Sequence, residues 1–286
     1  MSTPDALAFR FFSLHVVRTR PLGPSLVRVT FAGDDLAHFH SDGRDQSLSL
    51  FIPAEGRAEP GVPIEEGENW YAAWREQPDD VRAVMRSYTL RSLRREPDEI
   101  DIDFVLHGVE PGAAVPAGPA SRWAAKAKAG DKVVLIGPAV ADNRAIRFRP
   151  PEGTDLVLMW ADETALPALL ASLETLPAGM PVRAWVEVTD AGDIQDVETA
   201  ADAEVTWLVQ DGSCAEGSPM ALGAIKEAEL PPAEQPYVWL AGESGCMKEM
   251  RRHFVGERGV DRRQVTFVGY WRRGLSEEQL REQPED

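Results

Sequence analysis

The stretch Arg86-Ser87-Tyr88-Thr89-Leu90-Arg91 decides how the first half of the chain is read. It follows a run of β-like segments and brings together a cation, a flat phenol and a hydroxyl. Strand geometry sends alternate side chains to opposite faces, so Arg86 and Tyr88 share one face and Thr89 points to the other. A guanidinium can pair with pyrophosphate oxygens, a phenol can pack on a flavin or ribityl chain, and a hydroxyl or backbone N–H can meet a flavin N5. For these six residues alone, an exposed edge strand with solvated arginines is the plainer reading. The surrounding stretches reverse it.

Upstream, Phe9 to Arg18 is rich in β-branched and aromatic residues, and Leu22-Gly23-Pro24-Ser25 marks a turn. Leu26–Phe31 and Leu48–Ile52 read as further strands, the latter stopped by Pro53. Residues 54–80, a long Gly-, Pro- and Glu-rich excursion, carry Trp70, Tyr71 and Trp74, which read as its packing anchor. The central strand is expected over Met85–Leu93. Next, Ile100, Ile102, Phe104 and Leu106 alternate with Asp101, Asp103 and Val105, the pattern of a half-buried strand. With Lys132–Ile136, six short strands predict a small antiparallel β-barrel over residues 1–150. Within it, His107-Gly108 closes a strand and Gly118-Pro119-Ala120-Ser121-Arg122-Trp123-Ala124 opens a helix, with Gly130 as its stop. A helix start with free N–H groups, a glycine and a serine hydroxyl suits pyrophosphate; an ordinary capped helix is the alternative.

Residues 151–286 carry a different rhythm. Asp155–Trp160 and Tyr237–Ala241 are apolar runs of the kind buried in a parallel sheet, and Val182–Val188, Val205–Val209 and Val265–Val268 add strands. Helices are expected after Asp162, which would cap one with Leu166, Leu169, Leu170 and Leu173 inward, over Ser218–Leu230, and after Gly242-Glu243-Ser244. Alternating strands and helices imply an α/β parallel sheet, whose ligands bind at the carboxyl ends of the strands. Those ends carry Asp162-Glu163-Thr164, Thr189-Asp190, Gln210-Asp211 and Gly242-Glu243-Ser244, without a GxGxxG or Walker motif.

Composition narrows the function. The 286 residues are 43% hydrophobic and carry a formal charge of −17, which argues against nucleic acid or an anionic membrane as partner. No run of about 20 apolar residues or signal-like leader is visible, so a cytoplasmic protein without a membrane partner is expected. Cys214 and Cys246 are too few for a four-thiolate cluster, and five scattered histidines form no HExxH. No metal site is expected. Cys246 reads as a packed thiol, and Ser276 to Asp286 as a solvated tail or a short terminal helix.

The ordered set of motifs resembles the ferredoxin–NADP reductase superfamily and, within it, the siderophore-interacting proteins, flavin-dependent ferric-siderophore reductases. The likeness rests on the Trp-containing loop before Arg86–Arg91, Ile102–Gly108, Gly118–Ala124, Asp162–Ala168, Trp239–Glu243 with Arg251-Arg252, and Gly269-Tyr270-Trp271-Arg272-Arg273-Gly274. It implies an FAD-binding barrel domain (1–150) and an NAD(P)H-binding α/β domain with a C-terminal tail (151–286), acting as a monomer on a ferric siderophore. Arg86, Ser87, Tyr88 and Thr89 would hold FAD, with Thr89 at flavin N5 as the catalytic candidate. Asp103, Val105, His107 and Gly108 would line the FAD site, and Gly118, Ala120 and Ser121 would reach its phosphates, with Trp123 either packing or touching the cofactor. Asp162, Glu163, Thr164, Ala165, Gly242, Glu243 and Ser244 would flank the nicotinamide nucleotide, and Trp271 with Arg272 would close the cleft. Arg91, Arg122, Arg144, Arg147 and Arg149 are candidates for a basic lip facing an anionic siderophore, whereas Arg94, Arg95, Arg251 and Arg252 read as solvated charges.

The chemistry agrees, because NAD(P)H gives two electrons as a hydride while Fe(III) takes one, and a flavin mediates between them. The chain departs from many relatives at Ser49, where a Lys is usual, and at Val209-Gln210, where His-Arg is frequent. Asp190 favours an unphosphorylated ribose, and Val109–Ala117 looks longer than usual. NADH and NADPH both stay open. So do a general ferric-chelate or flavin reductase and a siderophore-binding flavoprotein reduced by a ferredoxin-like partner.

Overall fold

A computed structural model of the chain describes residues 8–109, 112, 116–210 and 220–282. The chain forms two compact units, Met1–Ile146 and Arg147–Asp286.

The first unit is built on strands β1 (Phe9–Pro21), β2 (Leu26–Ala32), β3 (Ser47–Ile52), β4 (Val84–Thr89), β5 (Ser92–Arg94), β6 (Glu99–Val105) and β7 (Lys132–Pro138), with helices α1 (Trp70–Glu76) and α2 (Pro119–Ala124). They form one seven-stranded sheet in the order β4-β3-β7-β1-β2-β6-β5, every pairing antiparallel. The expected central strand is therefore two strands. Leu90 N–H still donates to Gln46 O beside β3, but Arg91 N–H donates to Asp101 O on β6, 2.9 Å each. Because β4 and β5 lie at opposite edges yet are separated by only Leu90-Arg91, the sheet has to curl into the expected barrel. Phe12, Phe31, Leu50, Ile102, Phe104 and Leu135 fill its interior at 0% exposure. Outside, Trp74 donates its indole N–H to Ala83 O at 3.0 Å and packs edge-on against Phe51, so the tryptophans anchor the excursion.

β6 is not half-buried. Glu99, Asp101 and Asp103 line its outer face at 3–6% exposure, covered by cross-strand partners. Arg18 takes Glu99 at 2.7 and 2.9 Å, Arg28 takes Asp103 at 2.7 and 2.8 Å, and Arg94 bridges Glu99 and Asp101. Arg94 is thus a structural tie, its guanidinium pKa raised chiefly by the hydrogen bond to Asp101. Burial works against the Asp101 carboxylate, but bonds from Arg94, Thr30 and Ser92 outweigh it and hold the carboxyl down at about 2. Arg95 is no solvated charge either, donating to Leu36 O at 2.8 Å and to Phe39 O.

The second unit carries β8 (Leu156–Ala161), β9 (Pro181–Val188), β10 (Asp202–Val209), β11 (Pro236–Glu243) and β12 (Val265–Trp271), with helices α3 (Leu166–Leu173), α4 (Met220–Glu227), α5 (Ser244–Arg252) and α6 (Glu277–Glu282). The sheet runs β10-β9-β8-β11-β12, all parallel. From central β8 the chain steps outward twice, then crosses back to β11, so the order reverses between β8 and β11. All eight residues of α3 are buried, beyond the one-sided stripe that its leucines predict. α4 forms part of the expected 218–230 helix but stops at Glu227, short of Leu230, and residues 211–219, including Asp211 and Cys214, lie outside the described residues. Arg251 is not a solvated charge, since its guanidinium lies 4.6 Å over the Phe267 ring; Arg252 is exposed. Among the described residues no helix is long and apolar enough to cross a membrane.

Candidate functional site

In the barrel unit, the candidate residues gather around Phe104. The Tyr88 ring on β4 lies 4.4 Å from the Phe104 ring, and the Trp123 ring of α2 lies 5.8 Å from it. Trp123 also stacks on Phe31 at 6.3 Å, so packing of its helix is its observed role. Ser121 pins α2 to the end of β6: its hydroxyl donates to Val105 O at 3.0 Å and accepts from His107 N–H at 3.4 Å. Gly108 adopts φ 63° and its carbonyl accepts from Ala117 N–H at 3.1 Å, turning the chain back toward Gly118. Val105, His107 and Gly108 thus sit beside Ala120 and Ser121, as the motif order implies.

This corner suits a dinucleotide. A Cβ added at Gly118 would meet nothing within 4 Å, so space is open before the helix start. Arg86 and Tyr88 are half-buried on one face of β4, Arg86 donating to Met85 O at 2.8 Å, with Ser87 exposed between them. Thr89 is 5% exposed and faces the other way, so toward Tyr88 it offers main-chain atoms instead of its hydroxyl. Asp103 gives its carboxylate to Arg28, a partner 75 residues away that its own strand does not reveal.

The arginines divide. Arg91 is drawn inward, its side chain 12% exposed and 4.0 Å from Asp103, because the buried carboxylate attracts it; it is not part of an exposed lip. Arg122, Arg144, Arg147 and Arg149 are exposed, and burial of Ile146 and Phe148 turns Arg147 and Arg149, the residues that alternate with them, outward. Arg144 covers the Phe9 ring at 5.7 Å, and Arg122 reaches back to Ala117 O.

In the α/β unit the carboxyl ends of β8, β11 and β12 converge on Asp162, 7% exposed. Its Oδ1 accepts from Thr164 N–H at 3.0 Å, Thr164 Oγ1–H at 2.5 Å and Ala165 N–H at 3.3 Å, capping the turn into α3. Its Oδ2 accepts from Glu243 N–H and from the Trp271 indole N–H, 2.8 Å each. Burial raises the Asp162 pKa against the pull of these donors. Gly242, at φ 146°, passes so close that a Cβ there would lie 2.6 Å from Asp162 Oδ2. Glu243 caps α5 by accepting from Cys246 N–H at 2.9 Å, and Ser244 donates to Trp271 O at 2.9 Å. Asp162, Thr164, Ala165, Gly242, Glu243, Ser244 and Trp271 therefore form one cluster, at the place where strand order reverses. Glu163 turns toward β9, accepting from Thr189 N–H at 3.2 Å, while Arg272 is exposed just past β12. Asp190 directs its carboxylate to Gly192 N–H at 2.7 Å.

One residue at this end was missed. Glu187 on β9 is 5% exposed, accepts from Ala221 N–H at 2.9 Å and Trp160 Nε1–H at 3.3 Å, and is pushed up by burial. Gln210 also bonds it, which gives that departure an internal role. A lone acid in the apolar run Val182–Val188 was its only sequence signal. Among the described residues no group of three or more His, Cys, Asp or Glu could hold a metal ion.

Comparison with known proteins covers both units. The siderophore-interacting FAD-binding domain matches residues 15–142, and the siderophore-interacting protein model matches residues 154–274. Ferric vibriobactin reductase ViuB of Vibrio cholerae is 31% identical over 271 residues, covering 94% of this chain and 92% of its own. The NADPH-dependent ferric-chelate reductase of Escherichia coli is 30% identical over 269 residues, 92% and 93% of the two chains. A siderophore utilization protein from T. fusca superposes with TM-score 0.74 at 33% identity, covering 94% and 95% of the two chains. SipS from Aeromonas hydrophila follows with TM-score 0.73 at 30% identity and 95% coverage of each. With matches along both halves of the sequence, the chain belongs to the siderophore-interacting protein family.

Proposed function

We propose that the protein is an FAD-dependent oxidoreductase that takes electrons from NAD(P)H and reduces ferric siderophores in the cytoplasm, acting as a monomer and releasing Fe(II). The observation that carries this reading is that each unit gathers its own cluster of candidate residues. In the barrel Tyr88 packs on Phe104 of β6 beside α2, with Arg86 on the same face of β4, and Asp162, Gly242–Ser244 and Trp271 converge where the parallel sheet reverses order.

Bound FAD supplies the conversion between a two-electron hydride donor and a one-electron metal acceptor. The chain's residues do the positioning. Arg86 would offer a bidentate cation to the pyrophosphate, and Tyr88 would supply a plate for the isoalloxazine or ribityl side. The main chain at Thr89 would meet the flavin edge, and Gly118 and Ala120 at the start of α2 would leave room for phosphate. In the second unit the Asp162–Trp271 cluster would border the nicotinamide nucleotide. Exposed Arg122, Arg144, Arg147 and Arg149 offer positive charge to an anionic ferric siderophore, while Arg91 serves the barrel wall. Reduction weakens the grip of hard oxygen ligands on iron. NAD(P)H is favoured over an acidic ferredoxin as donor, because residues 147–286 carry 26 acids against 13 lysines and arginines.

Anaerobic stopped-flow absorbance at the flavin band tests this. One nucleotide should bleach the purified protein rapidly, and a ferric siderophore should restore the band faster than unrelated ferric chelates do. Equal recovery with any chelate would mark a general ferric-chelate reductase. A yellow protein that neither nucleotide bleaches would point to a partner-fed flavoprotein, and a colourless one unable to take up FAD would overturn the assignment.

A further inference from the structure

Trp271 ends edge strand β12 with 38% of its surface exposed, where a large indole would ordinarily sample several rotamers. Here it is held at two points. Its indole N–H donates to Asp162 Oδ2 and its carbonyl accepts from Ser244 Oγ–H. The indole bond spans β11, and it can do so only because Gly242 has no side chain: a Cβ would lie 2.6 Å from Oδ2 and 2.9 Å from the Trp160 ring. Gly269 makes the second hold possible, since a Cβ there would lie 2.5 Å from Ser244 Oγ. Burying a carboxylate is costly, and the helix turn alone would have been capped by Oδ1. Oδ2 instead orients Glu243 and the indole.

We propose that Asp162 is a positioning residue for nicotinamide-nucleotide binding: it fixes the Trp271 indole as a rigid plate on which an aromatic ring of NADH or NADPH stacks. Asp162 makes no contact with the nucleotide itself, because both its oxygens are occupied by protein donors. This rests on the reading of the second unit as the nucleotide unit. Stacking of a ring on an exposed aromatic depends on the plate's orientation, and losing it costs about tenfold in affinity.

The experiment is direct titration of the FAD-loaded oxidised protein with NAD⁺ and NADP⁺, followed by indole fluorescence quenching and by calorimetry. Wild type, Trp271→Phe, Asp162→Asn and the double variant are compared, with flavin content and thermal unfolding recorded for each. Trp271→Phe keeps a ring but not the N–H, so it should weaken binding about fivefold to tenfold with FAD content unchanged. Asp162→Asn should weaken it comparably when made alone and add nothing when Trp271→Phe is already in place. A purely structural Asp162 would instead give the same loss with and without Trp271→Phe, and that result would overturn the proposal. Should Asp162→Asn fail to fold, Trp271→Phe still decides: unchanged affinity for both nucleotides sinks the plate while leaving the reductase reading intact. A wild type that binds neither nucleotide and is bleached by neither overturns both.

Discussion

Replacing Gly242 by alanine tests the geometry of the second unit at its tightest point. The new Cβ would lie 2.6 Å from Asp162 Oδ2, 2.7 Å from its Cγ and 2.9 Å from the Trp160 ring, all nearer than a carbon can stay. The backbone there sits at φ 146°, which costs a non-glycine residue about 1–3 kcal/mol. Relief requires the buried carboxylate to move, forfeiting a charge-assisted bond worth about 1.5–3 kcal/mol to Glu243 N–H or to Trp271. Together these amount to about 2.5–6 kcal/mol of local strain, concentrated at the ends of β8 and β11. NAD(P)H affinity should fall at least about tenfold, since about 1.4 kcal/mol already suffices for that. FAD content should not change, because the barrel unit contributes none of these atoms. The assay is nucleotide titration alongside the flavin-to-protein absorbance ratio and a dithionite reduction control. Wild-type affinity with an unchanged unfolding transition would refute the reasoning.

Three further outcomes are expected. Arg86→Ala should weaken FAD binding by roughly tenfold or more, the worth of a hydrogen bond to a charged group; full flavin retained through extensive dialysis would remove that strand from the site. Asp101, held at about 2 against its usual 3.8, stabilises the barrel above that usual value and loses this as pH falls from about 4 to 2. The contribution is on the order of 2 kcal/mol, and Asp101→Asn should flatten the acid limb of the urea-unfolding midpoint; an unchanged limb would assign acid sensitivity elsewhere. Cys246 is pushed up to about 12, first by burial and then by Glu243 and Glu187, so its thiolate is scarce at neutral pH. In a Cys214→Ser background it should alkylate slowly, and Cys246→Ala should keep the wild-type rate of siderophore reduction; loss of that rate would give the thiol a role.

What a local pattern encodes was readable from the sequence. Period-two alternation placed β2 and β6, apolar, β-branched or aromatic runs placed β1, β3 and β7, and apolar runs broken by helix starts announced a parallel sheet, because strand pleat and helix turn are properties of consecutive residues. The Gly118–Ala124 helix start and the Asp162 cap were legible for the same reason. Alternation reports polarity, however, not exposure. Asp101 and Asp103 read as the solvent face of a half-buried strand because Arg94 and Arg28, which cover them, lie on the neighbouring strands that pair with β6. Likewise nothing near Asp162 announces that its second oxygen serves Trp271, 109 residues further on. The turn after β8 is determined within a few residues. The bond across a side-chain-free Gly242 exists only once β8, β11 and β12 lie side by side, since partners so distant in sequence are chosen by sheet order and by what space each strand leaves open.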